Sequence, residues 1–306
     1  MSVIKARNIA WARLRAPDLD AMEAFLNDFG LIRAERTDTK LFMRGTGSRH
    51  HIHVTELGDP GFIGFAYEAV SEDDLHKLAA LDGASAVEDI DEPGGGKRVR
   101  LAEPNGYQIE IVHGVATVDP LPVDPRQRRA GDPGIRKGAA RVRRMAHGVL
   151  ATPIVEETLA WFHETLGFIK TDELRLKGSD ALVGAFYRID AGEEPVDHHV
   201  IFVNRNKRAG MHHISFEVED VNDIFFGHDH LKAQDKYEHI RGISRHALGS
   251  QIFDYWVSPW DQMHEHWSSN EHFDVNSASH QIQIGEGLQH DSGEKPSERF
   301  TKHVTS

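Results

Sequence analysis

Apolar and polar residues alternate from Asn8 to Pro17 and again from Met145 to Pro153. A period of two predicts a half-buried strand that stops at each proline. Both runs lead into a stretch with apolar residues at helical spacing. The first carries Leu19, Met22, Phe25 and Phe29, and the second Leu159, Phe162 and Leu166. Gly30 and Gly167 follow at the positions where a left-handed cap would end each helix. A second unit repeats in each half. Residues 61–81 match 211–231 as a strand, an acidic turn and a helix. Each half then closes with two strands around a proline turn, residues 98–114 and 251–269. The chain reads as four strand–helix–strands units paired into two domains.

Residues 114–140 break this pattern with four prolines and an arginine cluster, which predicts a linker. The boundaries that follow are an N-terminal domain at 1–115, a linker at 116–140, a C-terminal domain at 141–275 and a polar tail at 276–306. The tail is rich in Gly and Ser and is expected to wrap the surface or to be partly mobile.

Composition narrows the function. A net charge of −13 argues against a nucleic-acid partner. No apolar run is long enough for a membrane span, and no apolar leader opens the chain. The absence of cysteine excludes disulfides, thiolate metal sites and a cysteine nucleophile, and suits a cytoplasmic location. The 21 histidines point instead to metal chemistry. Some, such as His228, His230 and His239, read as solvated surface residues. Gly94–Gly96 lack the Lys-Ser/Thr of a phosphate loop, and neither a zincin helix nor a GxSxG elbow is present.

Four such units in two domains resemble the vicinal oxygen chelate superfamily. The second half is similar to the type I extradiol ring-cleavage dioxygenases. The resemblance covers residues 5–270 and is carried most specifically by His246 to Trp267. It implies an α+β fold of two domains, each a pair of βαβββ modules forming an open barrel, as in glyoxalase, bleomycin-resistance and extradiol dioxygenase proteins. It also implies a facial triad of His147, His213 and Glu265. Such a set holds Fe(II), or Mn(II), and leaves three positions open for a catechol and O2. His212 adjoins His213, and successive strand residues face opposite ways. His213 is placed in the site because it stands directly before the Ile-Ser-Phe run. His264 and His266 flank Glu265 and face away from it.

Matching the halves through Pro17 and Pro153 sets Trp11 where His147 stands. Gly64 then matches His213, and Glu110 matches Glu265. The first half thus keeps one carboxylate and no histidine ligand, so one metal per chain is expected, in the C-terminal half. The resemblance also places His246 and Tyr255 beside the substrate hydroxyls and His199 as the acid–base group, with its neighbour His198 as the alternative. His50 and His51 occupy the matching place in the first half and read as structural or surface residues. Asp261 stands where the family has glycine in its closing turn, so it must tolerate a positive φ or change the turn. Trp256, Trp260 and Trp267 serve either as a wall for a large ring or as packing.

The activity implied is extradiol cleavage of a catechol by O2 in aromatic catabolism, by a homo-oligomer with no nucleic-acid or membrane partner. Two other readings keep the fold: a Lewis-acid isomerase or transferase, and a non-catalytic module that binds an aromatic ligand.

Overall fold

The computed structural model describes residues 2–123, 138–284 and 296–306. Most of the expected linker, residues 124–137, lies outside the described residues. The fold is α+β, with one eight-stranded and one nine-stranded sheet and few helices. Among the described residues no helix is long and apolar enough to cross a membrane.

The two sheets share one plan. In the first, Ile9–Ala16 pairs antiparallel with Gly61–Glu68 at the centre. Each of these pairs on its other side with a parallel strand, His53–Leu57 or Gln108–His113. In the second, Val142–Thr152 and Gly210–Val218 form the central antiparallel pair. Ile201–Arg205 and Met263–Ser268 flank them in parallel. Each module therefore closes its last strand onto its own first strand. The central strands are covered on both sides, and Ile9–Ala16 and Gly210–Val218 each expose few side chains. Parallel pairing with buried faces is what near-continuous apolar strands favour.

Two helices stop at the glycines the sequence predicts. Asp18 Oδ1 accepts the backbone N–H groups of Asp20 and Ala21 at 2.8 and 3.0 Å and caps Leu19–Phe29. Gly30 ends that helix at φ 112°, and Gly167 ends Val155–Leu166 at φ 73°. A side chain at either glycine would be strained there. Asp261 does take the positive φ, at 62°.

The two domains meet through buried polar contacts as well as apolar ones. Thr152 donates its hydroxyl to Asn105 Oδ1 at 2.7 Å, and His266 Nε2 donates to the Phe29 carbonyl at 2.6 Å. His53 and His264 face each other, Nε2 to Nε2, at 3.2 Å.

The tail does more than run over the surface. Residues His280–Ile284 form a ninth strand, parallel to Ile169–Leu176. The last residues then enter the molecule. Phe300 is buried, Thr305 exchanges backbone hydrogen bonds with Met211 at 2.8 Å each way, and the Ser306 carbonyl accepts from Phe62 N at 3.1 Å. Phe300 and Val304, both buried, anchor this return.

Candidate metal centre

The site is built on three adjacent strands. Ser215 pairs with His147 on one side and with Glu265 on the other. Side chains in register across neighbouring strands share a face, and so do residues two apart. His213 therefore projects beside His147 and Glu265. Ser215, small and fully buried, leaves room between them.

The three side chains converge. Glu265 Oε2 lies 3.1 Å from His147 Nε2 and 3.4 Å from His213 Nε2, and the two imidazole nitrogens are 3.4 Å apart. Octahedral ligands on bonds of about 2.1 Å would be separated by about 3 Å, close to these edges. Glu265 Oε2 is buried without a well-formed hydrogen bond. A buried carboxylate oxygen with no donor is costly unless a cation serves it. Burial alone would raise the Glu265 carboxyl. The imidazole nitrogens of His147, His213 and His246 around it hold it well below the usual carboxylate range. Burial pushes His147 down to about 4, against the pull of Glu265, so its ring is neutral and can offer a lone pair.

Each inner histidine but one is braced by its sequence neighbour. His212 Nε2 donates to the Phe300 carbonyl at 2.9 Å. Burial holds His212 neutral, so its Nδ1 accepts from His213 Nδ1–H at 2.8 Å. That leaves the His213 Nε2 lone pair directed at the triad. His198 repeats the device for His199, with Asp172 as the outer partner. His147 lacks such a brace: its Nδ1 is buried without a partner. The Trp267 ring packs 4.6 Å from His147 and stacks on His199 at 5.7 Å.

The remaining expected residues surround the triad. The His199 ring lies 4.1 Å from that of His147. Tyr255 pairs with Glu265 in the sheet and meets the His213 ring edge-on at 5.1 Å. His246 Nε2 is 3.2 Å from the Tyr255 hydroxyl and 3.8 Å from Glu265 Oε1. The His246 side chain keeps 30% exposure while Glu265 keeps 1%, so His246 marks the rim. On the other flank a cavity of about 320 Å³ reaches His199, lined also by Arg144, Asp197 and Glu217.

The N-terminal domain repeats the geometry without the ligands. Trp11, Ala66 and Glu110 align across three strands as His147, Ser215 and Glu265 do. Trp11 Nε1 donates to Glu110 Oε2 at 3.2 Å, and the Trp11 ring lies 4.5 Å from His51. At Gly64, the counterpart of His213, a Cβ would fall 1.8 Å from the Gln108 carbonyl. Positive charge comes from Arg13, which bonds Glu110 at 3.2 Å and Glu92 at 2.8 Å.

Comparison with known proteins gives the family. The Glyoxalase/Bleomycin resistance protein/Dioxygenase superfamily matches residues 144–255. Metapyrocatechase 2 of Cupriavidus necator is 32% identical over 267 residues, covering 83% of this chain and 78% of the relative. The chain belongs to the extradiol dioxygenases of this superfamily. Among its relatives is a manganese-dependent 2,3-dihydroxybiphenyl 1,2-dioxygenase of Geobacillus genomosp. 3, 24% identical, with 80% of this chain and 79% of that protein covered. An extradiol ring-cleaving dioxygenase of B. fuscum shares the fold at a TM-score of 0.84 and 18% identity, over 99% of this chain and 84% of that one. Extradiol relatives are metal-dependent, with iron or manganese.

One reading of the sequence needs correcting. His228 is half-buried rather than solvated, and both it and the exposed His239 bond the buried Asp254. His230 reaches Asp28 of the other domain at 3.1 Å. Of the three tryptophans, Trp267 packs against the triad, while Trp256 packs behind the sheet on His239. Asp172 and Phe300 carried no signal in the sequence. Trp267 did, since it stands two residues after Glu265 on the same strand.

Proposed function

We propose that this protein is an Fe(II)-dependent extradiol dioxygenase, with Mn(II) as the other occupant its ligand set admits, acting on a catechol-type ring in aromatic catabolism. The observation that carries the reading is the triangle of His147, His213 and Glu265, three buried ligand atoms that face one another. A metal held there supplies a chelation point for two ring oxygens and a path for electrons to O2, both atoms of which enter the opened ring.

The chain supplies placement and proton transfer. Tyr255 and His246, hydrogen-bonded to each other, offer an O–H and an imidazole at the rim for the substrate hydroxyls. His199 is kept neutral by burial, and its Nδ1 is engaged by His198, so its free Nε2 lone pair is the acceptor for a hydroxyl proton. The same nitrogen returns that proton as the ring opens. Closely packed Trp267 and the buried triad limit water around these groups.

The test is oxygen uptake by anaerobically purified, Fe(II)-loaded protein. Catechol, alkylcatechols, 2,3-dihydroxybiphenyl and a trihydroxylated ring are offered, with Glu265→Gln as the control. Uptake that follows one catechol and is lost in the variant is the expected result. No uptake across the panel with the metal confirmed bound would overturn the reading in favour of a Lewis-acid member of the superfamily.

A further inference from the structure

Asp254 is a carboxylate with no solvent exposure, on the strand Ile252–Val257 that also carries Tyr255. Adjacent strand residues face opposite ways, so Asp254 lies on the outer side of the sheet, away from the triad. Three donors meet it there. Trp256 Nε1 lies 2.7 Å and His228 Nδ1 3.1 Å from Oδ2, and His239 Nε2 lies 2.7 Å from Oδ1. The three residues other than Trp256 come from three elements. His228 is on the helix Val221–Gln234, His239 on the edge strand Glu238–Arg245, and Asp254 on the strand between that edge and the triad.

Two imidazoles on one buried carboxylate exceed what a single ion pair needs. The rings stand at 88° with centroids 4.7 Å apart, so one nitrogen from each aims at the same region. One ligand atom from each of His228, His239 and Asp254 lies within 4.8 Å of the other two. Trp256 walls the inner side, its ring 4.7 Å from His239 and 5.7 Å from His228. The outer side is open, with side-chain exposures of 17% for His228 and 31% for His239. That leaves space for water ligands.

We propose that His228, His239 and Asp254 form a second metal site, for a borderline divalent cation of the Zn2+ class. Two nitrogens and one oxygen suit Zn2+, Ni2+ or Cu2+, whereas Ca2+ and Mg2+ require mostly oxygen. On binding, each imidazole presents the lone pair of its inner nitrogen to the cation, and the proton it held toward Asp254 passes to solvent or to its outer nitrogen. No electron is transferred. The bound cation clips the helix to the edge strand that runs directly into His246. This goes beyond the one metal per chain expected from the module comparison, and it does not depend on the extradiol reaction.

The test uses full-length protein with the triad disabled by His213→Ala and Glu265→Ala, titrated with Zn2+ by calorimetry. One equivalent should bind and raise Tm. Adding His239→Ala should abolish the Tm rise and weaken binding by roughly tenfold or more. If the disabled protein folds poorly, holoenzyme with its triad filled is dialysed against Zn2+ and assayed for metal content. The wild-type protein should carry one extra equivalent that His228→Ala lacks, with oxygen uptake unchanged in that variant. No Zn2+ equivalent in either protein, or one that survives both histidine substitutions, overturns the proposal.

Discussion

His198 Nδ1 lies 2.9 Å from His199 Nδ1, and the far nitrogen of His198 lies 2.8 Å from Asp172 Oδ2. The Asp172 carboxylate only accepts, so His198 carries its proton on Nε2. With its Nε2–H turned to Asp172, His198 can accept from His199 Nδ1–H through its own Nδ1, which leaves the His199 Nε2 lone pair free. The strand at the end of the chain supports the same carboxylate, since His280 contributes its backbone N–H and Nδ1 to Asp172 Oδ1 at 3.1 and 3.0 Å.

Asp172→Asn should therefore impair turnover more than binding. An amide can donate to His198 and reverse the order of protons, which leaves His199 in the wrong tautomer. The expected loss in kcat is on the order of 10²-fold, with KM changed little and metal content unchanged. Steady-state kinetics beside metal analysis checks this. An equal loss of metal would show that Asp172 acts only through the fold.

His212 bears on the metal instead. His212→Phe keeps an aromatic ring against Phe300 but removes the acceptor for His213 Nδ1–H. Affinity for Fe(II) or Mn(II) should fall by about 10- to 100-fold. Competition with a chelator measures it, and kcat of the fully loaded variant should change far less than its affinity.

The sequence made much of this site legible because the fold repeats. His147, His213 and Glu265 are far apart in the chain, but matching modules put them at equivalent places on adjacent strands, and the pairing of Ser215 with both neighbours shows why. The helix caps were legible because Gly30 and Gly167 have few other reasons to stand there. Asp172 and Phe300 were not legible. Their roles depend on the tail strand and the final turn returning to the C-terminal domain, and no period or motif encodes that pairing. The surface reading of His228 failed for a related reason. Local sequence does not show that a buried Asp254 lies between the helix and the edge strand.

The charge cluster of the N-terminal domain gives a stability prediction. Arg13 is buried and bonds Glu92 and Glu110. Burial would raise the Glu92 carboxyl, but Arg13 and Lys40 pull it down to about 2. A depressed carboxyl stabilises the fold above its unfolded pKa, and that stability is lost as pH falls toward about 2. Arg13→Met should cost about 3–5 kcal/mol at neutral pH by leaving two buried carboxylates short of a partner. It should also flatten the fall in stability between about pH 4.5 and pH 2, because Glu92 would then titrate closer to its ordinary value. Urea unfolding at several pH values reads both effects. The metal content of the C-terminal domain should not change.

Phe300 offers a way to separate packing from hydrogen bonding at the end of the chain. Its ring lies 4.9 Å from Tyr255 and 5.0 Å from His212, and Arg241 sits over it at 4.9 Å. Its carbonyl independently receives His212 Nε2–H. Phe300→Ala removes the ring and keeps the carbonyl. Stability should fall by about 3 kcal/mol, and KM should rise as Tyr255 loses its support, with metal retained. Truncation before Ser297 removes the carbonyl as well. His212 then loses the acceptor that fixes its proton, so His213 is no longer held in its metal-binding tautomer, and metal affinity should fall along with KM worsening. Metal retention in Phe300→Ala together with metal loss in the truncated chain is the expected pair of results. Equal retention in both would mean that His212 holds its orientation without the tail.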